Sequence, residues 1–182
     1  MIITAGKFKG RKIKAPDEQI TRPTLSKVRM GVFNTLQSMI DFENASFLDM
    51  YAGSGIMGLE ALSRGFKTAV AIEKDKKSAS IIKSNFKIFD IAPKLLIGDS
   101  LKYVLSLEDF DVIYIDPPYF SEIYEKSLNA VKNIAKIIVL EHVTNVDFNG
   151  FKVIKQKKYG DKFITFLQNC CEVFKNLCTC AP

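Results

Sequence analysis

Four consecutive residues, Asp116-Pro117-Pro118-Tyr119, place a carboxylate, a stiff turn and an aromatic ring directly after the apolar run Val112-Ile113-Tyr114-Ile115. Such a set suits one kind of chemistry. An exocyclic amine on a nucleobase is a poor nucleophile because its lone pair is delocalised into the ring. A carboxylate (Asp116) and a main-chain carbonyl (Pro117) can each accept one N–H from that nitrogen, which favours a pyramidal geometry and frees the lone pair. Pro118 stiffens the turn and offers no competing donor. Tyr119 presents a flat face on which a base can stack, worth about 1–3 kcal/mol. A plain surface turn is the other reading, since Asp-Pro pairs are common there. A buried strand before the group and an aromatic after it weigh against that reading.

A second group is Asp49-Met50-Tyr51-Ala52-Gly53-Ser54-Gly55-Ile56-Met57-Gly58. The spacing Gly53-x-Gly55-x-x-Gly58 fits the dinucleotide fingerprint, in which glycines let the backbone approach a ligand and a helix N-terminus offers free N–H groups. Three glycines alone are a weak signal. Here an apolar run precedes them, a helical pattern follows, and a further apolar run, Thr68 to Ile72, ends in Glu73, 20 residues past Gly53. A carboxylate at that point can accept both hydroxyls of a ribose.

The elements that must carry these groups alternate. Strands are predicted at 47–51, 68–73, 95–98, 111–115 and 136–141, and helices at 55–65, 75–88 and 122–134, with a short helix from Asp99-Ser100 to about Leu107. Near-continuous apolar strands alternating with helices imply an α/β fold, a doubly wound parallel sheet covered on both faces. Ligands then bind outside the C-terminal ends of the strands. The pattern changes late: Phe151–Lys158 and Phe163–Gln168 read as a hairpin around Tyr159-Gly160-Asp161-Lys162, so the last strand is antiparallel. Residues 2–14 read as a small hairpin outside the main sheet. Thr24 is a candidate N-cap, and apolar residues at three- and four-residue steps make 25–40 an amphipathic helix.

With 182 residues, one structural unit is expected. Residues 1–40 form a basic hairpin and helix within that unit, 41–168 the main domain and 169–182 a tail. No run of about 20 apolar residues is present, so no membrane span is implied, and a cytoplasmic location is the expectation. The formal charge of +6 lies wholly in the first forty residues, where eight basic residues face Asp17 and Glu18. A basic patch of that kind points to a polyanion. The four cysteines fall in the last thirteen residues without the spacing of a zinc module, and no metal site is read from them.

Together, Asp49–Gly58 and Asp116–Tyr119 resemble the S-adenosylmethionine-dependent amino-methyltransferases with a Rossmann-like domain. Gly10-Arg11-Lys12, Arg22-Pro23-Thr24, Lys27-Val28-Arg29, Phe33-Asn34 and Gly58-Leu59-Glu60-Ala61-Leu62-Ser63-Arg64-Gly65 narrow this to the RsmD family. These are bacterial methyltransferases that modify N2 of one guanine in 16S ribosomal RNA. The resemblance covers about residues 1–168. It implies a seven-stranded, mostly parallel sheet with an antiparallel last strand. It implies S-adenosylmethionine as cofactor, with Asp49, Gly53 and Gly55 lining its pocket, Glu73 holding the ribose and Asp99 and Ser100 flanking the adenine. Asp116 would touch the methionine end and the target amine. The partner would be 16S ribosomal RNA or the small-subunit particle, gripped through Lys7, Lys9, Arg11, Lys12, Arg22, Thr24 and Arg29 by a monomer. Two features depart from the family: Met30 follows Arg29 where the family has glutamate, and the cysteine-bearing tail has no counterpart.

Three rivals stay open at the level of the sequence. A nicotinamide oxidoreductase would share the glycine spacing but leave Asp116–Tyr119 unused. An adenine-N6 methyltransferase would use the same four residues. A non-catalytic RNA-binding assembly factor would share the basic patch without needing an intact cofactor site.

Overall fold

The structure is a computed structural model that describes residues 1–15, 26–118 and 121–170. Its elements in chain order are α1 (Ser26–Leu36), β1 (Ser46–Asp49), α2 (Ile56–Ser63), β2 (Thr68–Glu73), α3 (Lys76–Lys87), β3 (Lys94–Ile97), α4 (Ser100–Tyr103), β4 (Phe110–Ile115), α5 (Ser121–Val131), β5 (Ala135–His142), β6 (Phe151–Tyr159) and β7 (Lys162–Asn169). A 3-10 turn, Val104–Ser106, continues α4. The strands form one seven-stranded sheet in the order β3-β2-β1-β4-β5-β7-β6. The pairs β1–β2, β2–β3, β1–β4 and β4–β5 are parallel, and β7 is antiparallel to both of its neighbours. This is the doubly wound Rossmann-like α/β sheet with an antiparallel last strand.

Successive strand residues point to opposite faces, and here both faces are covered. Phe47, Val112, Tyr114 and Val139 pack with Val32 and Phe33 of α1, Met57 and Leu59 of α2, and Ile82 and Phe86 of α3. Leu48, Ile113, Ile115 and Leu140 face the other way, toward Val104 and toward Tyr124, Leu128 and Val131 of α5. The strands therefore read as continuous rather than alternating apolar runs.

The order of the last strands comes from chain geometry. Residues 143–150 hold no helix, and the link turns through Asp147, which accepts the Asn149 N–H at 3.0 Å. It delivers β6 to the outer edge. The Tyr159–Lys162 turn then brings β7 back between β6 and β5.

Residues 1–15 turn back on themselves as the expected hairpin does, with backbone bonds from Ile3 to Arg11, Gly10 to Ile3 and Ile13 to Met1 at 2.9–3.0 Å, but the pairing is too short for full strands. A single antiparallel bridge, Ile2 to Lys12, stands where two short strands are predicted. Other chain segments hold the arm as well. Glu60 of α2 accepts the N–H groups of Thr4 (2.9 Å) and Ala5 (3.1 Å) and the Thr4 hydroxyl. Ser63 accepts from Lys7 through its carbonyl and from Phe8 through its hydroxyl. Gly6 sits so close to α2 that a Cβ there would lie 1.8 Å from the Ser63 carbonyl oxygen. Helix α1 also ends sooner than predicted, at Leu36, where Ser38 N–H turns back onto the Thr35 carbonyl.

Candidate active site

The site is built at the C-terminal ends of β1, β2 and β4. Phe47 to Asp49 of β1 lie beside Val112 to Tyr114 of β4, and the Met50 N–H reaches the Tyr114 carbonyl at 3.0 Å. The glycine turn after β1 and the Asp116 group after β4 therefore leave the same sheet edge from adjacent strands. The charge of Asp116 is felt at Asp49. Pro117 is buried and Pro118 exposed. Tyr119 lies outside the described residues, so the stacking face expected of it does too.

The turn is shaped from both sides. Gly55, at φ 75°, ends it immediately before α2. A Cβ there would press on Ile82 and Phe86 at 3.1–3.3 Å and would also sit in the left-handed region that disfavours side chains. Gly58 is different: a Cβ there would meet Phe86 and Ala69 at ordinary contact distances. The third position of the fingerprint is therefore not sterically demanded in this chain.

Glu73, at the end of β2, accepts the Gly53 N–H at 2.7 Å with one carboxylate oxygen and the Asp75 N–H at 2.8 Å with the other. Burial pushes its carboxyl above the usual range, against those two donors and the Lys74 backbone N–H. A carboxylate has about four acceptor sites, so room for a further donor remains. Asp99 caps α4 by accepting the Leu101 N–H at 3.0 Å, and the buried Ser100 hydroxyl donates to the Met50 carbonyl at 2.5 Å. All six residues expected around the cofactor thus gather at the ends of β1, β2 and β3.

Asp49 is the unusual member. It is buried, and its Oδ1 has no hydrogen-bond partner among the described residues. Burial, then the neighbouring Asp116 charge, push its carboxyl up to about 8, against the Tyr51 backbone N–H. A buried acceptor left over where two loops leave one sheet edge is what a ligand carrying N–H donors or positive charge would satisfy.

The residues expected to grip a polyanion divide. Lys7, Lys9 and Lys12 are exposed on the arm. Arg11 is exposed but leans on the protein, its guanidinium 4.3 Å from the Phe89 ring centre and bonded to the Ile88 carbonyl. Arg29 corrects the expectation. It is 1% exposed, 3.8 Å from Glu60, and donates to the Ile2 carbonyl at 2.6 Å. It braces the arm against α1 and α2 and has no surface for a phosphate. Arg22 and Thr24 lie outside the described residues.

One residue of the site went unread in the sequence. Asn85 of α3 is fully buried; its side chain donates to the Lys14 and Ser54 carbonyls and accepts the Lys14 N–H, each at 2.9 Å. It ties the glycine turn to the arm just before residues 16–25. The signal was its position: Ile82, Asn85 and Phe86 share the apolar face of α3, where an amide needs partners.

Comparison with known proteins follows the same lines. The family model described as conserved hypothetical protein 95 matches residues 1–168. The ribosomal RNA small subunit methyltransferase D of Buchnera aphidicola (subsp. Acyrthosiphon pisum) is 34% identical over 159 residues, spanning 86% of this chain and 78% of the relative. Its namesake in Haemophilus influenzae is 33% identical over 133 residues, spanning 70% of this chain and 68% of the relative. Among solved structures, the Escherichia coli protein yhhF superposes with a TM-score of 0.80 over 93% of this chain and 97% of its own, at 24% identity, which bears on the fold.

Proposed function

The chain belongs to the RsmD family, the group described as conserved hypothetical protein 95, and from that premise we propose that it transfers a methyl group from S-adenosylmethionine to the exocyclic N2 amine of a guanine in 16S ribosomal RNA. The observation that carries this reading is the junction of β1 and β4. It sets a glycine turn with a spare buried carboxylate oxygen beside the Asp-Pro-Pro group at one sheet edge.

The residues present fit the cofactor. Asp49 offers its unsatisfied Oδ1 to a cationic amino-acid end, and Gly55 leaves room for close approach. Glu73 has lone pairs for ribose hydroxyls, and Asp99 and Ser100 border the place for the base. Bound S-adenosylmethionine supplies a methyl group already activated by the positive sulfonium. What remains for the protein is orientation, since bringing reacting atoms to about 3–3.5 Å in line removes much of the entropic barrier. Asp116 and the Pro117 carbonyl accept the two N–H bonds of the amine and hold its lone pair toward the donor. Asp116 acts as an orienting acceptor, because the amine proton becomes acidic only as the new C–N bond forms. Lys7, Lys9, Arg11 and Lys12 grip phosphates, and the base leaves its stack to reach the edge. The protein works as a monomer in the cytoplasm on ribosomal RNA or the small-subunit particle.

The test is transfer of labelled methyl from S-adenosylmethionine onto ribosomal RNA, small-subunit particles and DNA, followed by identification of the product nucleoside. N2-methylguanosine in the RNA supports the reading. N6-methyladenine would hand the same four residues to the adenine rival. No transfer to any substrate, with RNA still bound, would favour the assembly factor.

A further inference from the structure

Beyond residue 40 basic and acidic residues balance in number, but they are not evenly placed. The nine residues of β6 hold Lys152, Lys155, Lys157 and Lys158 and no acid, so the rest of that stretch carries four more acids than bases. Lys152, Lys155 and Lys158 are exposed, and among the described residues no carboxylate pairs with them. Exposed lysines without an acid also occur elsewhere, as on α3 with Lys76, Lys77, Lys83 and Lys87, so the position of the β6 lysines, not their being unpaired, sets them apart. Lys157 is also engaged, donating to the Thr35 hydroxyl of α1 at 2.7 Å.

The ladder places this strand with respect to the chemistry. β5 and β6 are both antiparallel to β7, so they run in the same direction and β6 ends at the edge where Asp116 stands. Ile115 pairs with Leu140, so Asp116 lies level with Glu141, which pairs with Ile164, which in turn pairs with Lys157. Asp116 and Lys157 thus share one row across four strands. Three interstrand spacings amount to about 14 Å, the length of about four steps of a nucleic-acid strand at 3.4 Å each. Lys158, one step along, points to the opposite face, its ammonium 5.3 Å from the Phe163 ring centre, whereas Lys155 shares the face of Lys157. Helix α1 reaches the same place: the Tyr159 hydroxyl occupies the space a Cβ on Gly31 would take, and exposed Lys27 lies one turn earlier.

We propose that the outer edge of β6, with Lys27 of α1, is a phosphate-gripping ledge for the RNA strand that flanks the base presented at Asp116. It is separate from the basic arm, which packs on α2 and α3. The inference rests on the RNA-methylating reading above. Charge complementarity selects the occupant: an edge strand that carries exposed lysines on both of its faces and no acid, a few nucleotides from the reacting nitrogen, matches a phosphate backbone.

The test compares wild type with a Lys155→Gln/Lys158→Gln double variant and a Lys155→Arg/Lys158→Arg control. Binding of unmethylated small-subunit ribosomal RNA is measured from 50 to 200 mM salt, together with methyl transfer. Two lost phosphate contacts lower the salt slope by about 1.4–1.8, so the Gln variant loses roughly tenfold less affinity than wild type across that range. Its KM for RNA rises, its kcat and its affinity for S-adenosylhomocysteine hold, and the Arg control behaves as wild type. An unchanged slope and KM overturn the ledge while methyl transfer by wild type leaves the proposed function standing. Aggregation of the Gln variant with unchanged RNA affinity in its soluble fraction also overturns it, and assigns the lysines to keeping sheet edges apart. Absence of both RNA binding and methyl transfer in wild type removes the ledge and the proposed function together.

Discussion

Two carboxylates eleven residues apart in the chain, Asp49 and Glu60, are both buried, and their surroundings are opposite. Glu60 sits where the arm meets α1 and α2. It accepts from two backbone N–H groups and a hydroxyl, and lies beside the guanidinium groups of Arg64 at 3.0 Å and Arg29 at 3.8 Å. Asp49 sits at the sheet edge, with one oxygen lacking a partner among the described residues and a like charge, Asp116, nearby. A carboxylate whose partners all come from the same chain is a structural joint. One left without a full set of partners among the described residues, at the sheet edge, is a candidate for binding something else. The comparison separates a residue that holds this fold together from one that the proposed reading gives to a ligand.

That separation can be broken by experiment. The largest effect belongs to the joint: Glu60→Ala removes the anion from between two buried or half-buried arginines and is expected to cost about 3–5 kcal/mol. Denaturant unfolding measures it, while the protein that remains folded binds S-adenosylhomocysteine as before. A loss under ~1 kcal/mol would mean that the arm does not depend on this residue.

At the sheet edge the loss falls on turnover instead. Asp116→Ala is expected to slow methyl transfer by about 10²–10³-fold, the scale for one lost orienting group, with cofactor affinity within about threefold. Wild-type turnover in that variant would refute its role.

Asp49 gives the pH dependence. Its folded carboxyl lies near 8, above its ordinary value of 3.8, so the folded ligand-free protein holds a proton that the unfolded chain releases. Its contribution to stability is full below about pH 4 and is lost as pH rises toward 8. A cationic ligand favours the carboxylate, so affinity for S-adenosylhomocysteine is expected to rise by up to about tenfold per unit between pH 6 and 8 and then level. Calorimetry in buffers of differing ionisation enthalpy would count the released proton, and Asp49→Asn would abolish both the release and the slope. The smallest effect sharpens the turn: Gly58→Ala is expected to leave binding and stability within about 1 kcal/mol, whereas Gly55→Ala weakens cofactor binding.

How much of this was legible beforehand varies by residue. The placement of Gly55 and Glu73 was readable because it follows from short-range facts, a turn between strand and helix and a carboxylate at the next strand end. The place of Asp116 and the two prolines was readable because a proline pair after a buried strand has few conformations. Arg29 was misread. Its spacing near the start of a helix suited an exposed cation, and only the arrival of Glu60 and of the Ile2 carbonyl from other parts of the chain makes it a buried brace. The lysines of β6 were passed over because their charge cancels in a count taken along the whole sequence. Asn85 carried a readable anomaly, an amide on an apolar face, but not the identity of its partners.

By itself the sequence determined the alternation of strand and helix, the two loops that could do chemistry and the antiparallel return at the end. Periodicity, glycine and proline act within a few residues of themselves. The tertiary structure alone decided that β7 slides between β5 and β6, that Arg29 is shut away, and that one buried carboxylate oxygen of Asp49 is left without a partner among the described residues. Those outcomes depend on which distant segments come to lie side by side. Burial and hydrogen-bond satisfaction are properties of neighbours in space, and no local pattern records who those neighbours will be.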